Sequence, residues 1–277
     1  MPYVEETITT SDGSHLYTRR HEVEGSRGEV VIVHGFGEHS GRYGPLIDHL
    51  IAKRYSVISY DQRGHGKSDG LSGHIQRFND YEEDLDRTIS LAGSHTDTGR
   101  IFIIGHSLGG LVVLRYLALR GLKLGGAVIS APMLGLAIEA PRHKVMIARV
   151  GARVTPRLRL GNGIDPAALS RDPAVGRAYA EDPLVHRLVS TRWFAEAMRA
   201  MQQMKRWAPD VKRPLLIMQG SEDRLVSPEA TKEVFERLGS RDKELIIYPG
   251  FYHELFNEPE KQELFERVTL WLDARAR

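Results

Sequence analysis

The 277-residue sequence contains no cysteine. This absence excludes disulfides, a thiolate nucleophile and cysteine-ligated metal sites, and it is compatible with a reducing compartment. Basic and acidic residues almost balance, with a formal net charge of +2, so the charge gives no indication of nucleic-acid binding. No apolar run approaches the ~18 residues of a membrane span, and the polar first residues lack the apolar core of a secretory signal. A cytoplasmic protein is therefore expected.

What the sequence contains is typical of a globular α/β protein. Apolar residues make up 41% and charged residues 27%, in a chain long enough for one large domain or two small ones. An antiparallel hairpin is predicted around residues 11–14, and strands and helices then alternate. Alternation of this kind indicates a mainly parallel sheet flanked by helices. The predicted elements are strands at 29–33, 55–60, 101–104, 126–130, 214–220 and 244–248, with helices near 45–54, 78–91 and 111–119.

The strand at 101–104 runs into the pattern Gly-x-Ser-x-Gly at Gly105–Gly109, and a helical segment follows. This is the nucleophile-elbow pattern, in which the serine sits on a very tight turn between a strand and a helix. Glycines on either side lack the Cβ atoms that would collide across such a turn. The context therefore makes Ser107 the candidate nucleophile.

Two partners of such a serine follow in the order serine, acid, histidine. The strand at 214–220 is followed by Asp223, the candidate acid, with Glu222 as its nearest rival. The strand at 244–248 is followed by His253, the candidate base. Taken singly, these are an ordinary loop serine, a solvated loop acid and a surface histidine. Their order and their strand-end positions favour a triad in which His253 takes the serine proton and Asp223 orients the imidazole.

The negative charge that develops on a substrate carbonyl oxygen also needs donors. The residue after the nucleophile, Leu108, offers one backbone N–H at a helix N-terminus. A second is expected from the loop after the strand at 29–33, where we assign the N–H of Phe36. The alternative for this loop is an ordinary strand-to-helix turn.

No strand is predicted between 130 and 214, and the interval is helical in composition with several prolines. We interpret residues 133–209 as a helical cap inserted after the sixth strand, with residues 1–132 and 210–277 forming the core. Within the cap, one helical face carries Arg142, Arg149 and Arg153, and another carries Ile147, Val150 and Val154. Two interpretations stay open: a solvated basic face over an apolar core stripe, or a helix that makes peripheral contact with a membrane.

Several segments resemble one known family. Residues 34–43, 61–68 and 105–110 are similar to the monoacylglycerol lipases of the α/β-hydrolase superfamily, and so are residues 178–185 of the cap and 248–254 around His253. The segment 34–43, which reads HGFGEHSGRY, is far more specific to that family than Gly-x-Ser-x-Gly. The resemblance extends from His34 to about Trp271.

The resemblance implies an α/β-hydrolase fold and hydrolysis of a monoacylglycerol, or a related single-chain lipid ester, to a fatty acid and glycerol. No cofactor and no metal are implied. It supports Ser107, Asp223 and His253 as the triad and Phe36 and Leu108 as oxyanion donors. It also implies a small polar recess for the glycerol head, for which the matching positions are Glu38, Arg42, His106 and Tyr179. The alternative for Glu38 and Arg42 is a structural ion pair that fixes the loop.

The chain departs from the family pattern at two positions and in one residue type. Leu108 stands where many members have methionine, but the role belongs to the backbone. Phe36 is bulkier than the small residue often found there and could narrow the acyl pocket. Sensitivity to thiol reagents is not expected, because the cysteines of mammalian members are absent.

Competing functions share this pattern of residues. A lysophospholipase or a short-chain carboxylesterase would use the same triad, and a hydrolase-like fold could also serve as a ligand-binding receptor without activity. Epoxide hydrolases and haloalkane dehalogenases are disfavoured because they carry aspartate at the position of Ser107.

Overall fold

The fold is described from a computed structural model, over residues 3–94, 97–120, 124–137 and 150–276. Its main sheet contains eight strands, and a pair of short strands lies apart from it. In chain order the strands are β1 Val4–Thr9, β2 His15–His21, β3 Glu29–Val33, β4 Ser56–Tyr60, β5 Ile101–His106, β6 Gly126–Ser130, β7 Arg159–Gly161, β8 Leu188–Ser190, β9 Leu215–Gly220 and β10 Lys243–Tyr248.

The main sheet has the order β1-β2-β4-β3-β5-β6-β9-β10. β1 and β2 form an antiparallel hairpin at one edge, and β2 is antiparallel to β4, whereas all later neighbours are parallel. The central strands β3, β4, β5, β6 and β9 are buried along their whole length, which explains their continuous apolar runs. The predicted hairpin and the mainly parallel sheet are confirmed.

Helices cover the sheet. α1 (Gly44–Ala52) packs with α7 (Lys261–Asp273), and α3 (Leu108–Arg120) packs with both α2 (Asn79–Gly93) and α5 (Thr191–Trp207). α5 begins where the Ser190 side chain caps the Trp193 N–H, and its buried residues recur at helical spacing. The helices are α1 Gly44–Ala52, α2 Asn79–Gly93, α3 Leu108–Arg120, α4 Pro173–Glu181, α5 Thr191–Trp207, α6 Pro228–Arg237 and α7 Lys261–Asp273.

The chain between β6 and β9 is not purely helical as predicted. It contains α4, α5 and a helical stretch at 150–154, but also the antiparallel pair of β7 and β8. These strands have only three residues each, too short for a periodic signal in the sequence.

Val150 and Val154 belong to the apolar helical face for which a core stripe was one interpretation, and both side chains are exposed. Val150 is 57% exposed and Val154 is 74% exposed, so that interpretation is wrong for both. Arg142, Ile147 and Arg149 lie outside the described residues. None of the helices in the described ranges combines the length and apolar character needed to span a bilayer.

A buried arginine joins three of the helices behind the sheet. Arg115 on α3 is 1% exposed, and its Nε donates to Glu82 Oε1 on α2 at 2.5 Å. Its Nη1 donates to Gln203 Oε1 on α5 at 2.8 Å, and the guanidinium packs on the rings of Phe78 and Trp207. The ion pair therefore ties α3 to α2, and the hydrogen bond to Gln203 ties α3 to α5.

Replacing Arg115 should test how far the fold depends on this tie. Arg115→Met leaves the Glu82 carboxylate buried without its partner, so the free energy of unfolding should fall by about 3–5 kcal/mol. Chemical denaturation monitored by circular dichroism measures the change. Lys53→Met, which removes the solvent-exposed pair with Glu266, is the matched control and should cost far less. Equal losses in the two variants would contradict the assigned role.

Candidate active site

The turn that carries Ser107 depends on close packing around two glycines. Ser107 stands alone between β5 and α3, with φ +51°, in the left-handed region that a non-glycine residue adopts only under strain. A Cβ on Gly109 would lie 2.1 Å from the Val33 carbonyl oxygen, and one on Gly105 would lie 2.8 Å from the Gly109 oxygen. Glycine at both positions lets α3 approach β3 and β5, as predicted for an elbow.

The structure brings the predicted acid and base together. His253, in the loop after β10, donates from Nδ1 to Asp223 Oδ2 at 2.8 Å. Asp223 follows β9 and is 6% exposed, whereas its rival Glu222 faces solvent. Because Nδ1 holds the proton in this contact, the His253 Nε2 lone pair is free to act as a base. Ser107 and His253 line the same cavity, with Asp223 behind the histidine.

The pKa values of these groups are set by burial and by each other. Burial alone would lower the pKa of His253, but the Asp223 carboxylate and its hydrogen bond outweigh burial and raise the pKa above 6.5. Burial alone would raise the pKa of Asp223, and the contact with His253 reverses this and lowers it. The neighbouring His106 differs, because burial and the His253 charge lower its pKa to about 4. Of these two adjacent imidazoles, His253 therefore has the higher pKa.

The two predicted oxyanion donors, Phe36 and Leu108, lie in the segments that follow β3 and β5. Leu108 is the first residue of α3, where an N–H has no carbonyl partner within its own helix. Phe36 lines the cavity beside Ser107. Its loop is fixed by Glu38, whose Oε1 accepts from the Gly35 N–H at 2.6 Å and from the Tyr43 hydroxyl at 2.7 Å.

Three of the four predicted recess residues line this cavity: Glu38, His106 and Tyr179. Arg42 lies behind them, on a separate cavity of about 10 Å³. It pairs with Glu38 Oε2 at 2.9 Å and with both oxygens of Glu254 at 2.6 and 2.8 Å. The guanidinium thus holds two carboxylates at the edge of the site and does not face the cavity itself.

The cavity that Ser107 and His253 line has a volume of about 320 Å³. One part of its wall is polar and includes the buried atoms Tyr179 OH and Asn162 Nδ2. Neither atom forms a hydrogen bond with the rest of the described residues. The rest is mainly apolar, from Phe36, Met133, Leu136, Leu169, Trp193 and Phe194. A ligand with one apolar end and one polar end matches this lining.

Phe36 also connects the loop after β3 to the segment between β6 and β9. Its ring centroid lies 4.0 Å from that of Trp193 on α5 and 5.2 Å from that of His186. The His186 N–H donates to the Gly37 carbonyl oxygen at 3.0 Å. Phe36 and Trp193 both line the cavity, and the narrowing of the acyl pocket by Phe36 stays a prediction.

Comparison with known proteins decides the family. The family model described as serine aminopeptidase, S33 (Hydrolase_4) matches residues 24–260. A monoacylglycerol lipase from Mycolicibacterium smegmatis is 34% identical over 247 residues, which is 89% of this chain and 88% of that protein. The crystal structure of Paleococcus ferrophilus monoacylglycerol lipase superposes with a TM-score of 0.85 and 36% identity, covering 99% of this chain and 100% of that one. The chain belongs to the monoacylglycerol lipase family.

Membership of the monoacylglycerol lipase family confirms the predicted α/β-hydrolase fold and the predicted class, a carboxylic ester hydrolase. The chain is also similar to proteins with other names. Phospholipase YtpA from Bacillus subtilis is 32% identical over 246 residues, 88% of this chain and 94% of that protein. The family assignment does not test the roles of individual residues, which remain predictions.

Sequence reasoning missed two residues of the site. Glu254 lines the cavity next to His253 and forms the ion pair with Arg42, and Asn162 contributes a buried amide. Glu254 was visible in the histidine loop but had no assigned partner, because Arg42 lies 212 positions away. Within the described ranges, no three histidine or acidic side chains are grouped so as to hold a metal ion.

The raised pKa of His253 predicts the pH dependence of activity. The base acts when neutral, so kcat/KM for an uncharged ester should rise with pH through one ionisation whose midpoint lies above 6.5. Asp223→Asn removes the charge that favours the imidazolium but leaves His253 buried, so the midpoint should move to lower pH. Turnover should also fall roughly ten-thousandfold. The pH–rate profiles of both proteins check this, and an unshifted midpoint would contradict the assignment of Asp223.

Proposed function

We propose that this enzyme hydrolyses the ester bond of a monoacylglycerol to a free fatty acid and glycerol, without a cofactor or metal. The observation that carries the proposal is one cavity, lined by Ser107 and His253, whose wall includes both a set of apolar side chains and buried polar groups. A single acyl chain matches the first part and a glycerol head the second. The similarity to the lipases of M. smegmatis and P. ferrophilus supports this substrate.

The proposed mechanism follows from the geometry. Ser107 Oγ attacks the ester carbonyl carbon as its proton passes to His253 Nε2, while Asp223 stabilises the imidazolium. The N–H groups of Phe36 and Leu108 stabilise the oxyanion. Glycerol leaves with the proton from His253, and an acyl group remains on Ser107. Water, activated by His253, then releases the fatty acid and restores the serine.

The polar recess is proposed to hold the glycerol hydroxyls. Burial raises the pKa of Tyr179 to about 12, so its hydroxyl keeps its proton and can donate. Asn162 offers an amide donor beside it. Glu38 can accept, because burial raises the pKa of its carboxyl but Arg42, the neighbouring histidines and the Tyr43 hydroxyl together lower it, so that the carboxyl stays ionised. His106 is neutral and completes the wall, while Arg42 acts through Glu38 and Glu254.

We assign residues 133–209 to a cap and residues 1–132 and 210–277 to the core. Leu169, Trp193 and Phe194 from the cap face the cavity that contains Ser107. A second acyl chain would fit only if these three side chains moved away from the cavity. The cap therefore favours substrates with one chain by steric exclusion. Lysophospholipids also have one chain, and the relation to phospholipase YtpA makes them the second candidate.

A substrate panel with an inactive control tests the function. Monoacylglycerol should be cleaved at least about tenfold faster than diacylglycerol, triacylglycerol, lysophospholipid, a short p-nitrophenyl ester or an amino-acid anilide, because the others fit one part of the cavity at most. Ser107→Ala should lower turnover roughly a millionfold and abolish fluorophosphonate labelling. EDTA should change nothing. Faster cleavage of lysophospholipid would replace the proposed substrate, and labelling without ester hydrolysis would contradict the proposed activity.

We further propose a cytoplasmic protein that makes peripheral contact with membranes through the cap. Five exposed apolar side chains lie between residues 150 and 188, here called the cap patch: Val150, Val154, Leu158, Leu160 and Leu188. The solvent-exposed Arg153 and Arg157 lie among them in the chain. Apolar side chains with adjacent arginines are suited to the interface of an anionic bilayer.

Vesicle binding tests this contact. Val154→Ser with Leu160→Ser should weaken cosedimentation with anionic vesicles about tenfold, because two exposed apolar side chains lose the gain from entering the interface. Hydrolysis of a soluble short ester should be unchanged. Leu270→Ser removes a side chain that is 62% exposed on α7, outside the cap, and is the matched control. Equal binding by all three proteins would rule out the cap patch as the contact.

A further inference from the structure

Two buried polar side chains behind Asp223 have no part in the mechanism above. Gln219 is the penultimate residue of β9 and Thr231 lies on α6, and both are fully buried. Gln219 Nε2 donates to Asp223 Oδ2 at 3.0 Å, and the Thr231 hydroxyl donates to Gln219 Oε1 at 3.0 Å. A line of hydrogen bonds therefore runs from α6 through β9 to Asp223.

The Asp223 carboxylate is saturated by its donors. Oδ1 accepts from the backbone N–H groups of Leu225 at 2.9 Å and Val226 at 3.0 Å. Oδ2 accepts from His253 Nδ1 at 2.8 Å and from Gln219 Nε2. An ionised carboxylate has about four acceptor positions, so these donors fill them. Apart from His253 itself, Gln219 is the donor that holds the oxygen facing the histidine.

The orientation of the Gln219 amide is fixed from both ends. A carboxylate can only accept, so the NH₂ end must face Asp223. The Thr231 hydroxyl supplies the donor that the carbonyl end requires. The other contact of the Thr231 hydroxyl, with the Ser227 carbonyl oxygen, is longer at 3.4 Å. Removing the Thr231 hydroxyl would leave a buried carbonyl oxygen unpaired and weaken the constraint on the amide.

We propose that Gln219, oriented by Thr231, is a positioning residue that keeps Asp223 Oδ2 aligned with His253 Nδ1 during the reaction. It touches neither the substrate nor the reacting atoms. The alignment matters most when His253 becomes an imidazolium, because a misplacement of about 1 Å can cost roughly a hundredfold in rate. This inference rests on the proposed function, in which Asp223 and His253 are the acid and the base.

Near-isosteric variants separate positioning from stability. Gln219→Met removes the donor and should lower kcat about 10- to 100-fold while KM changes less than about twofold, because the cavity is untouched. Thr231→Val should lower kcat about three- to tenfold, and Thr231→Ser, which keeps the hydroxyl, should recover most of that loss. Thr88→Val on α2 is the matched control, since Thr88 is equally buried and its hydroxyl bonds only a backbone carbonyl of its own helix. Its kcat should equal that of the wild type.

Gln219→Glu gives a readout that a purely structural role would not produce. The introduced carboxyl would lie next to Asp223, and two buried carboxyls this close share one proton. While this proton is bound, the introduced carboxyl can donate a hydrogen bond to Asp223, as the Gln219 amide does. Rising pH removes the proton and therefore the hydrogen bond. The rate profile should therefore fall on the alkaline side, in addition to the rise due to His253, and become bell-shaped.

The outcomes are distinguishable from failure of the proposed function. If Ser107→Ala keeps its esterase activity, the triad itself is wrong and the positioning role falls with it. If Ser107→Ala is inactive while Gln219→Met has wild-type kcat and pH profile, only the positioning role is overturned. If Gln219→Met does not fold, the comparison of Thr231→Val with Thr231→Ser and Thr88→Val decides, and equal kcat in all three overturns it.

Discussion

The close approach of α3 to β3 and β5 is the constraint on which the site depends. It exists only because Gly105 and Gly109 have no side chains, and it forces Ser107 into a left-handed conformation. Strain of this kind persists only where the surroundings over-determine it. Here the surroundings are the most buried part of the sheet, with β3 and β5 buried at every residue. The buried core therefore fixes the position of Ser107, the proposed nucleophile. The loops that carry the other groups need only place them near Ser107.

The sequence was most informative where both faces of an element are buried. Strands β3, β5, β6 and β9 read as apolar runs, and the residues after them, such as Asp223, could be placed at one sheet edge because parallel strands end together. The same reasoning did not predict β7 and β8, whose pairing depends on contacts between distant parts of the chain. It also misjudged Val150 and Val154, since helical spacing gives a face but does not say what covers it. Gln219 carried a usable signal, a polar residue inside a buried strand, but its partner Thr231 could not be identified from spacing.

The segment between β6 and β9, which lines part of the cavity, is in direct contact with the loops that carry the candidate catalytic groups. Phe36, whose N–H is proposed to stabilise the oxyanion, contacts Trp193 of the cap through its side chain. His39 donates from Nε2 to Asp182 at 2.8 Å across the same boundary. The Glu254 N–H, next to His253, donates to the Leu169 carbonyl oxygen at 2.7 Å. Substitutions in the cap can therefore alter rate as well as substrate choice, because these contacts reach the loops around both oxyanion and base.

The ion pairs of Arg42 have a consequence for local opening of the chain. Glu38 anchors the loop after β3, and Glu254 belongs to the loop after β10, so one guanidinium joins loops that are more than 200 residues apart in the chain. Opening either loop alone would strand a buried charge on the other, which is costly. The two loops should thus behave as one cooperative unit in native-state hydrogen exchange, with amide protection lost from both at the same opening free energy. An enzyme built this way loses its proposed oxyanion donor and its proposed base together, and passes through few states in which only one of them is in place.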